Sequence, residues 1–132
     1  MKKLILLGIA GGSGSGKTTL TSELLNEYGK DKITVIEQDS YYKDLSHLTF
    51  EERRTYNYDH PNAIDSALFQ FQLSALLKGR NINSPIYDFS NHVRLKNTKI
   101  FAPFPVIIVE GILVLYFQEL RQLMVIKIYI DT

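Results

Sequence analysis

Residues 9–25 read IAGGSGSGKTTLTSELL, and no other stretch restricts the fold as strongly. Six of its first ten residues are Gly or Ser, a composition that elsewhere marks a flexible linker. Here it is enclosed by order. LILLGIA (4–10) leads in as a near-continuous apolar run, the pattern of a strand buried on both faces of a parallel sheet. Leu20, Leu24, Leu25 and Tyr28 follow at helical spacing, and Gly29 supplies a left-handed stop. Gly11, Gly16, Lys17 and Thr18 satisfy G-x-x-x-x-G-K-[ST] in the strand–loop–helix context that this motif requires. Its glycines let successive N–H groups curl inward onto phosphate oxygens, and the helix beginning near Lys17 adds its positive dipole end. Lys17 is expected to reach the β- and γ-phosphates, with the Thr18 hydroxyl where Mg²⁺ sits between them. A dinucleotide fingerprint fails, because its third glycine falls on Lys17.

The remaining chain predicts strands alternating with helices. ITVIE (33–37) is a second strand, which completes a βαβ unit. Residues 38–65 are polar and aromatic and read as loop, apart from a short helix started by a capping box at Thr49 and Glu52. Phe69, Leu73, Leu76 and Leu77 mark an amphipathic helix from Ser66, N-capped by Asp65 or Ser66 and closed by Gly79. NINSPIYDF and HVRLKNTKIF form an antiparallel pair around Ser90 and Asn91. VIIVE (106–110) is the most buried strand, a helix through Leu115, Glu119 and Leu123 follows, and KIYID (127–131) is the last strand. This order predicts an α/β fold of the P-loop NTPase type, three layers with a parallel central sheet and a small antiparallel β-hairpin insertion. Residues 1–132 form one domain, since 132 residues at 45% apolar content supply one core and not two. The strand at Asp131 and Thr132 has no helix after it to cover that part of the sheet.

Charge and composition narrow the partners. Fifteen Lys and Arg against 14 Asp and Glu leave a formal charge of +1, so no global pull toward nucleic acid or an anionic membrane is encoded. Anion recognition is local. The absence of Cys excludes disulfides and thiolate metal sites. MKKLILLGIAGGSG imitates the start of a secretory signal, but its apolar run is short and no A-x-A pattern follows. No apolar stretch approaches the roughly 20 residues of a membrane span. The expectation is a soluble, cytoplasmic protein without nucleic-acid or membrane partners.

A P-loop does not say what receives the phosphate. Asp39 lies just past ITVIE and Glu110 closes VIIVE, and the carboxyl ends of parallel strands face the ligand crevice. Glu110 takes the place of a Walker-B acid, and Asp39 is suited to orient or deprotonate an acceptor hydroxyl. Tyr41, Tyr42, Tyr56 and Tyr58 are half of the chain's eight tyrosines, gathered in a segment otherwise too polar to form core. Such rings suit a planar ligand, with Tyr42, Asp59 and His92 bonding to sugar or base edges. For Tyr41 and Tyr56, packing the loop down is the favoured role. His47 and His60 read as structural or solvent-facing.

GIAGGSGSGKTT, VIEQDSYYKD, NYDHPNAID, PIYDFSNHVR, VIIVEGILVL and KIYIDT together resemble the phosphoribulokinase and uridine kinase family, in its uridine/cytidine kinase branch. They span almost the whole chain in the family's order. The resemblance implies phosphoryl transfer from ATP or GTP to the 5′-hydroxyl of uridine or cytidine, giving UMP or CMP in pyrimidine salvage. It places the triphosphate on Gly11, Gly12, Ser13, Gly14, Ser15, Gly16, Lys17, Thr18 and Thr19. Thr18, Asp39 and Glu110 would surround Mg²⁺, Asp39 doubling as the base and acting with Lys17 in catalysis. Tyr42, Asp59, Tyr87, Phe89 and His92 would form the nucleoside pocket, and a homotetramer is the assembly usual in relatives.

Two departures accompany the match. Val125 follows Met124 where the family pattern has an acid, which is expected as surface variation. Relatives also continue past KIYIDT into an arginine-bearing lid, a strand and a helix. Loss of such arginines is expected to lower the rate by about 10³-fold or more, and loss of the last elements to uncover apolar sheet and favour self-association. The chain therefore reads as a kinase core in the form of a truncated chain, an incomplete product or one piece of a larger assembly. The alternatives are a non-catalytic nucleotide-binding remnant and a kinase of another alcohol, of the phosphoribulokinase or pantothenate kinase type. In the leading reading Lys17→Ala lowers turnover more than it weakens nucleoside binding, as steady-state kcat and nucleoside KM will report.

Overall fold

The apolar run at the N-terminal end forms β1 (Ile5–Ala10) and the helix pattern behind the glycine loop forms α1 (Lys17–Tyr28). The structure, a computed structural model, describes residues 4–11 and 17–130, without the side chains of Lys17 and Thr18. Gly12, Ser13, Gly14, Ser15 and Gly16 thus lie outside the described residues, as does Asp131 of the last expected strand. Gly29 closes α1 with φ +93°, the left-handed conformation that costs other residues a Cβ clash.

Strands β2 (Ile33–Glu37), β5 (Val106–Gly111) and β6 (Ile126–Tyr129) join β1 in a parallel sheet of order β2-β5-β1-β6. From β1 the chain crosses by α1 to β2 on one side, and later reaches β6 on the other side of β1. Right-handed crossovers in opposite directions place their helices on opposite faces. On one face Ile9, Ile33 and Ile108 pack with Leu20, Leu24 and Leu25 of α1. On the other, Leu6, Ile36, Ile107 and Val109 meet Phe69, Leu73 and Leu76 of α3 (Ser66–Leu77) and Leu120 of α4 (Gln118–Leu123). The three layers follow from near-continuous apolar strands that bury both faces.

Between β2 and α3 lie a 3₁₀ turn (Gln38–Tyr41), the short helix α2 (Phe50–Arg54) and a second 3₁₀ turn (Pro61–Ala63). Thr49 and Glu52 make the expected capping box reciprocally, at 3.2 and 3.0 Å. Asp65, not Ser66, caps α3 by accepting the Leu68 N–H. The antiparallel hairpin of β3 (Ile82–Asp88) and β4 (Val93–Phe101) forms its own two-stranded sheet. Its turn is tied by Asp88, whose carboxylate accepts from the Ser90 N–H and the Asn91 amide, and His92 closes it at φ +54°.

Helix α4 differs from expectation. It begins only at Gln118, and residues 112–116 are turns. The Arg121 guanidinium donates to the Leu115 and Tyr116 carbonyls at 2.8 and 3.0 Å, satisfying acceptors that a longer helix would have used internally. β6 likewise starts one residue early, at Ile126. Val125 is exposed, in line with surface variation at that position. Leu73 is fully buried between α3 and the sheet, so Leu73→Ala is expected to lower the unfolding free energy by about 3 kcal/mol in a denaturant titration.

Candidate active site

In a doubly wound sheet the crevice opens at the carboxyl ends of the strands where the winding reverses, here beside β1. Ile9 pairs with Glu110 and Glu37 with Glu110, so the register sets the ends of β1, β5 and β2 level. Glu110 falls on the α1 face with Ile108 and is only 8% exposed. A carboxylate so enclosed needs a donor. Thr21, one turn beyond Lys17 on α1, provides it: its hydroxyl donates to Glu110 Oε2 at 2.7 Å. Sequence reasoning missed Thr21. The available signal was its i+4 spacing from Lys17, which puts a small hydroxyl on the same helix face.

Asp39 is exposed on the 3₁₀ turn directly beyond β2. The residues around it hold the turn in place. Tyr41 is fully buried, its ring 4.5 Å from that of Phe69, and its hydroxyl donates to Gln72 Oε1 at 2.6 Å. Gln72 in turn donates to the Asn83 carbonyl on β3 at 2.8 Å. Burial pushes the Tyr41 phenol up to about 12, so it remains a neutral donor. Tyr41 therefore packs the loop down, as expected for it.

The other rings form a connected group. Tyr42 lies 5.1 Å from Tyr58 and 5.2 Å from Tyr87, both edge-on, and Tyr87 lies 5.3 Å from Phe89. His92 stacks on Tyr58 at 5.5 Å, and Tyr56 meets Tyr58 edge-on. Burial raises the Tyr42 phenol to about 12, with the Asp39 and Asp59 carboxylates adding to the effect. Both acids thus act on the same hydroxyl. The Tyr87 hydroxyl is buried with no donor or acceptor in hydrogen-bond geometry among the described residues, and burial, with Tyr58 beside it, raises its pKa. A register shift in β3 between Pro85 and Tyr87 is one reason the hairpin bends at this ring. Arg94 of β4 fastens the hairpin by donating to the Tyr42 carbonyl at 2.7 Å and to the Asp65 carboxylate at 3.4 Å.

A cleft of about 880 Å³ runs along β2 between α1 and the hairpin, from Ile33 and Thr34 at the start of the strand to Glu37 and Ser40 at and beyond its carboxyl end. Thr21, Glu37, Ser40 and Glu110 line it from the α1 and sheet side, and Tyr87 and Phe89 from the hairpin. The fold thus brings Glu110, Tyr87 and Phe89 to one cleft. Tyr42 stands behind Tyr87 in the ring group. Asp59, which is exposed, and His92, which stacks on Tyr58, are not among the residues that line the cleft. Gly11 is buried at the end of β1, and Thr19 is exposed on α1. His47 and His60 are exposed, and His60 Nδ1 accepts from the Asn62 N–H.

The donor set suits a hard cation. Among the described residues no three acidic, His or Cys side chains converge on one point. Mg²⁺ in phosphate chemistry takes one or two carboxylates and completes its octahedron with phosphate and water, for which Glu110, Asp39 and Thr18 are oxygen donors of the right kind.

The family described as Phosphoribulokinase / Uridine kinase family matches residues 6–132. The chain is 52% identical over 132 residues to a Clostridium perfringens protein named uridine kinase, covering 100% of this chain and 64% of that one. A Clostridium novyi protein of the same name is 54% identical, again with 64% of its length covered. The chain therefore spans less than two thirds of these curated relatives. Among solved structures, one titled a possible uridine kinase from Bacillus stearothermophilus superimposes with a TM-score of 0.75 at 24% identity, covering 100% of this chain and 73% of that one. Phosphoribulokinase from Rhodobacter spheroides gives 0.68 at 15% identity, over 98% of this chain and 51% of its own. At these identities the two structures speak for the fold.

Thr21→Val removes the donor and leaves Glu110 enclosed. The variant is expected to lose about 1–3 kcal/mol in denaturant unfolding. Thr21→Ser, which restores the hydroxyl, is expected to recover most of it.

Proposed function

Because the chain belongs to the phosphoribulokinase/uridine kinase family, we propose that it transfers the γ-phosphoryl group of ATP or GTP to the 5′-hydroxyl of uridine or cytidine. The observation that carries this reading is the cleft that faces Glu110 with Tyr87 and Phe89. One side offers a carboxylate at the strand ends beside the glycine loop, the other a pair of rings of the size of a pyrimidine. A sugar phosphate acceptor would need cations there, and among the described residues the cleft lining carries only Lys99. The Tyr87 and Phe89 rings, which line the cleft, offer apolar surface to a base. Tyr42 packs edge-on against Tyr87, and His92 stacks on Tyr58, so that the ring group holds Tyr87 at the cleft.

In the proposed reaction Lys17 and the loop N–H groups hold the triphosphate, and Asp39 accepts the proton of the attacking hydroxyl. Thr18, Glu110 and Asp39 would hold the Mg²⁺ that comes with the nucleotide, which when bound would supply charge neutralisation to the phosphates. Little covalent work falls to the protein. Its contribution is to align the hydroxyl in line with the γ-phosphorus and to exclude water. The product is a nucleoside monophosphate, which places the reaction in pyrimidine salvage in the soluble part of the cell.

Phosphate transfer from γ-labelled ATP separates the candidates. Uridine and cytidine are expected to accept the label, and ribulose 5-phosphate and pantothenate to remain unlabelled. Nucleotide binding with no transfer to any of the four would overturn the reading. In the same assay Asp39→Asn is expected to lower kcat by about 10²–10⁴-fold with nucleoside KM within about threefold, the signature of a lost general base.

A further inference from the structure

Gln38 follows β2 directly and precedes Asp39. Its side chain is 1% exposed, on the opposite face of the sheet from Glu110. It lies against Gly111 so closely that a Cβ at that glycine would stand 2.6 Å from Gln38 Cβ and 2.7 Å from Gln38 Oε1. Oε1 accepts the Leu113 backbone N–H at 3.0 Å, while Nε2 is buried with no partner among the described residues. An enclosed amide nitrogen without an acceptor is a cost in stability, which an apolar side chain of similar volume would remove. Packing alone therefore gives a poor reason for glutamine here.

What the amide does is join two segments of the crevice. One is the turn that carries Asp39; the other is the end of β5 at Gly111, next to Glu110, and the chain that follows it. Pairing of β2 with β5 ends at Glu37–Glu110, so beyond that rung the hydrogen bond to Leu113 and the seat on Gly111 join the turn after β2 to β5. We propose that Gln38 is a positioning residue: through Gly111 and Leu113 it sets the separation of Asp39 and Glu110. This rests on the reading in which both carboxylates act on one phosphate-bound cation. A shift of either group by even 1 Å misaligns a hydroxyl, a cation and a γ-phosphate that must lie in line.

Gln38→Met discriminates the positioning role from a merely packed one, because it removes the acceptor of the Leu113 N–H while keeping the side-chain volume. Four quantities are measured on the whole chain: the thermal unfolding midpoint, hydrogen exchange of the Leu113 amide, Mn²⁺ affinity in the presence of ATP by electron paramagnetic resonance, and transfer to uridine. Positioning requires faster Leu113 exchange, with Mn²⁺ held about 10-fold more weakly, while the midpoint reports that the variant stays folded. It also requires kcat to fall while uridine KM stays within about twofold. Gly111→Ala, which displaces Gln38 from the other side, must weaken Mn²⁺ in the same way. Unchanged Leu113 exchange or unchanged Mn²⁺ affinity in Gln38→Met overturns the proposal. If the unaltered chain transfers nothing to uridine yet the exchange and Mn²⁺ readouts move as stated, the proposed reaction fails and the positioning role stands. If the unaltered chain holds no Mn²⁺ with ATP, both fall.

Discussion

The parallel pairing of β5 between β1 and β2 is the constraint on which the site depends. It sets the ends of three strands level and delivers Glu110 next to the strand that feeds the glycine loop. Parallel strands bury both faces, and that burial is what makes the register hard to slip: a shift of one residue would turn Ile108 and Glu110 to the wrong side. Thr21 shows the consequence at atomic scale. Its hydroxyl meets Glu110 only because α1 packs over the face that the even-numbered residues of β5 present.

The acceptor side is built on a different principle. No ladder connects the hairpin to the central sheet. It is held by the rings among themselves, by Arg94 on the Tyr42 carbonyl and Asp65, and by the buried route from Tyr41 through Gln72 to Asn83. Edge-on ring pairs and charge-assisted bonds are individually modest, but each ties the segment after β2 to the hairpin. The proposed phosphate side is therefore rigid by sheet register, and the acceptor side by side-chain packing.

Much of this was legible along the chain. The glycine loop, the β-branched runs and the stops at Gly29 and Gly79 are local signals, and the elements follow them closely. The capping box at Thr49 and Glu52 forms as written. Helix α4 was less legible because Leu115, Glu119 and Leu123 keep helical spacing whether or not the chain winds, and Arg121 rewards the turn instead. Among the site residues, Glu110, Tyr87 and Phe89 meet in the cleft, while Asp59 and His92 do not line it.

By itself the sequence determined the α/β alternation, the glycine-rich motif after β1 and the acids at the strand ends, since each is encoded by residues adjacent in the chain. Only tertiary structure decided that Thr21 serves Glu110 across 89 residues, that Gln38 meets Leu113 across 75, and that Tyr42 stands behind Tyr87. Those contacts join elements whose separation is set by the packing of α1 and the hairpin on a sheet. No local pattern records that distance.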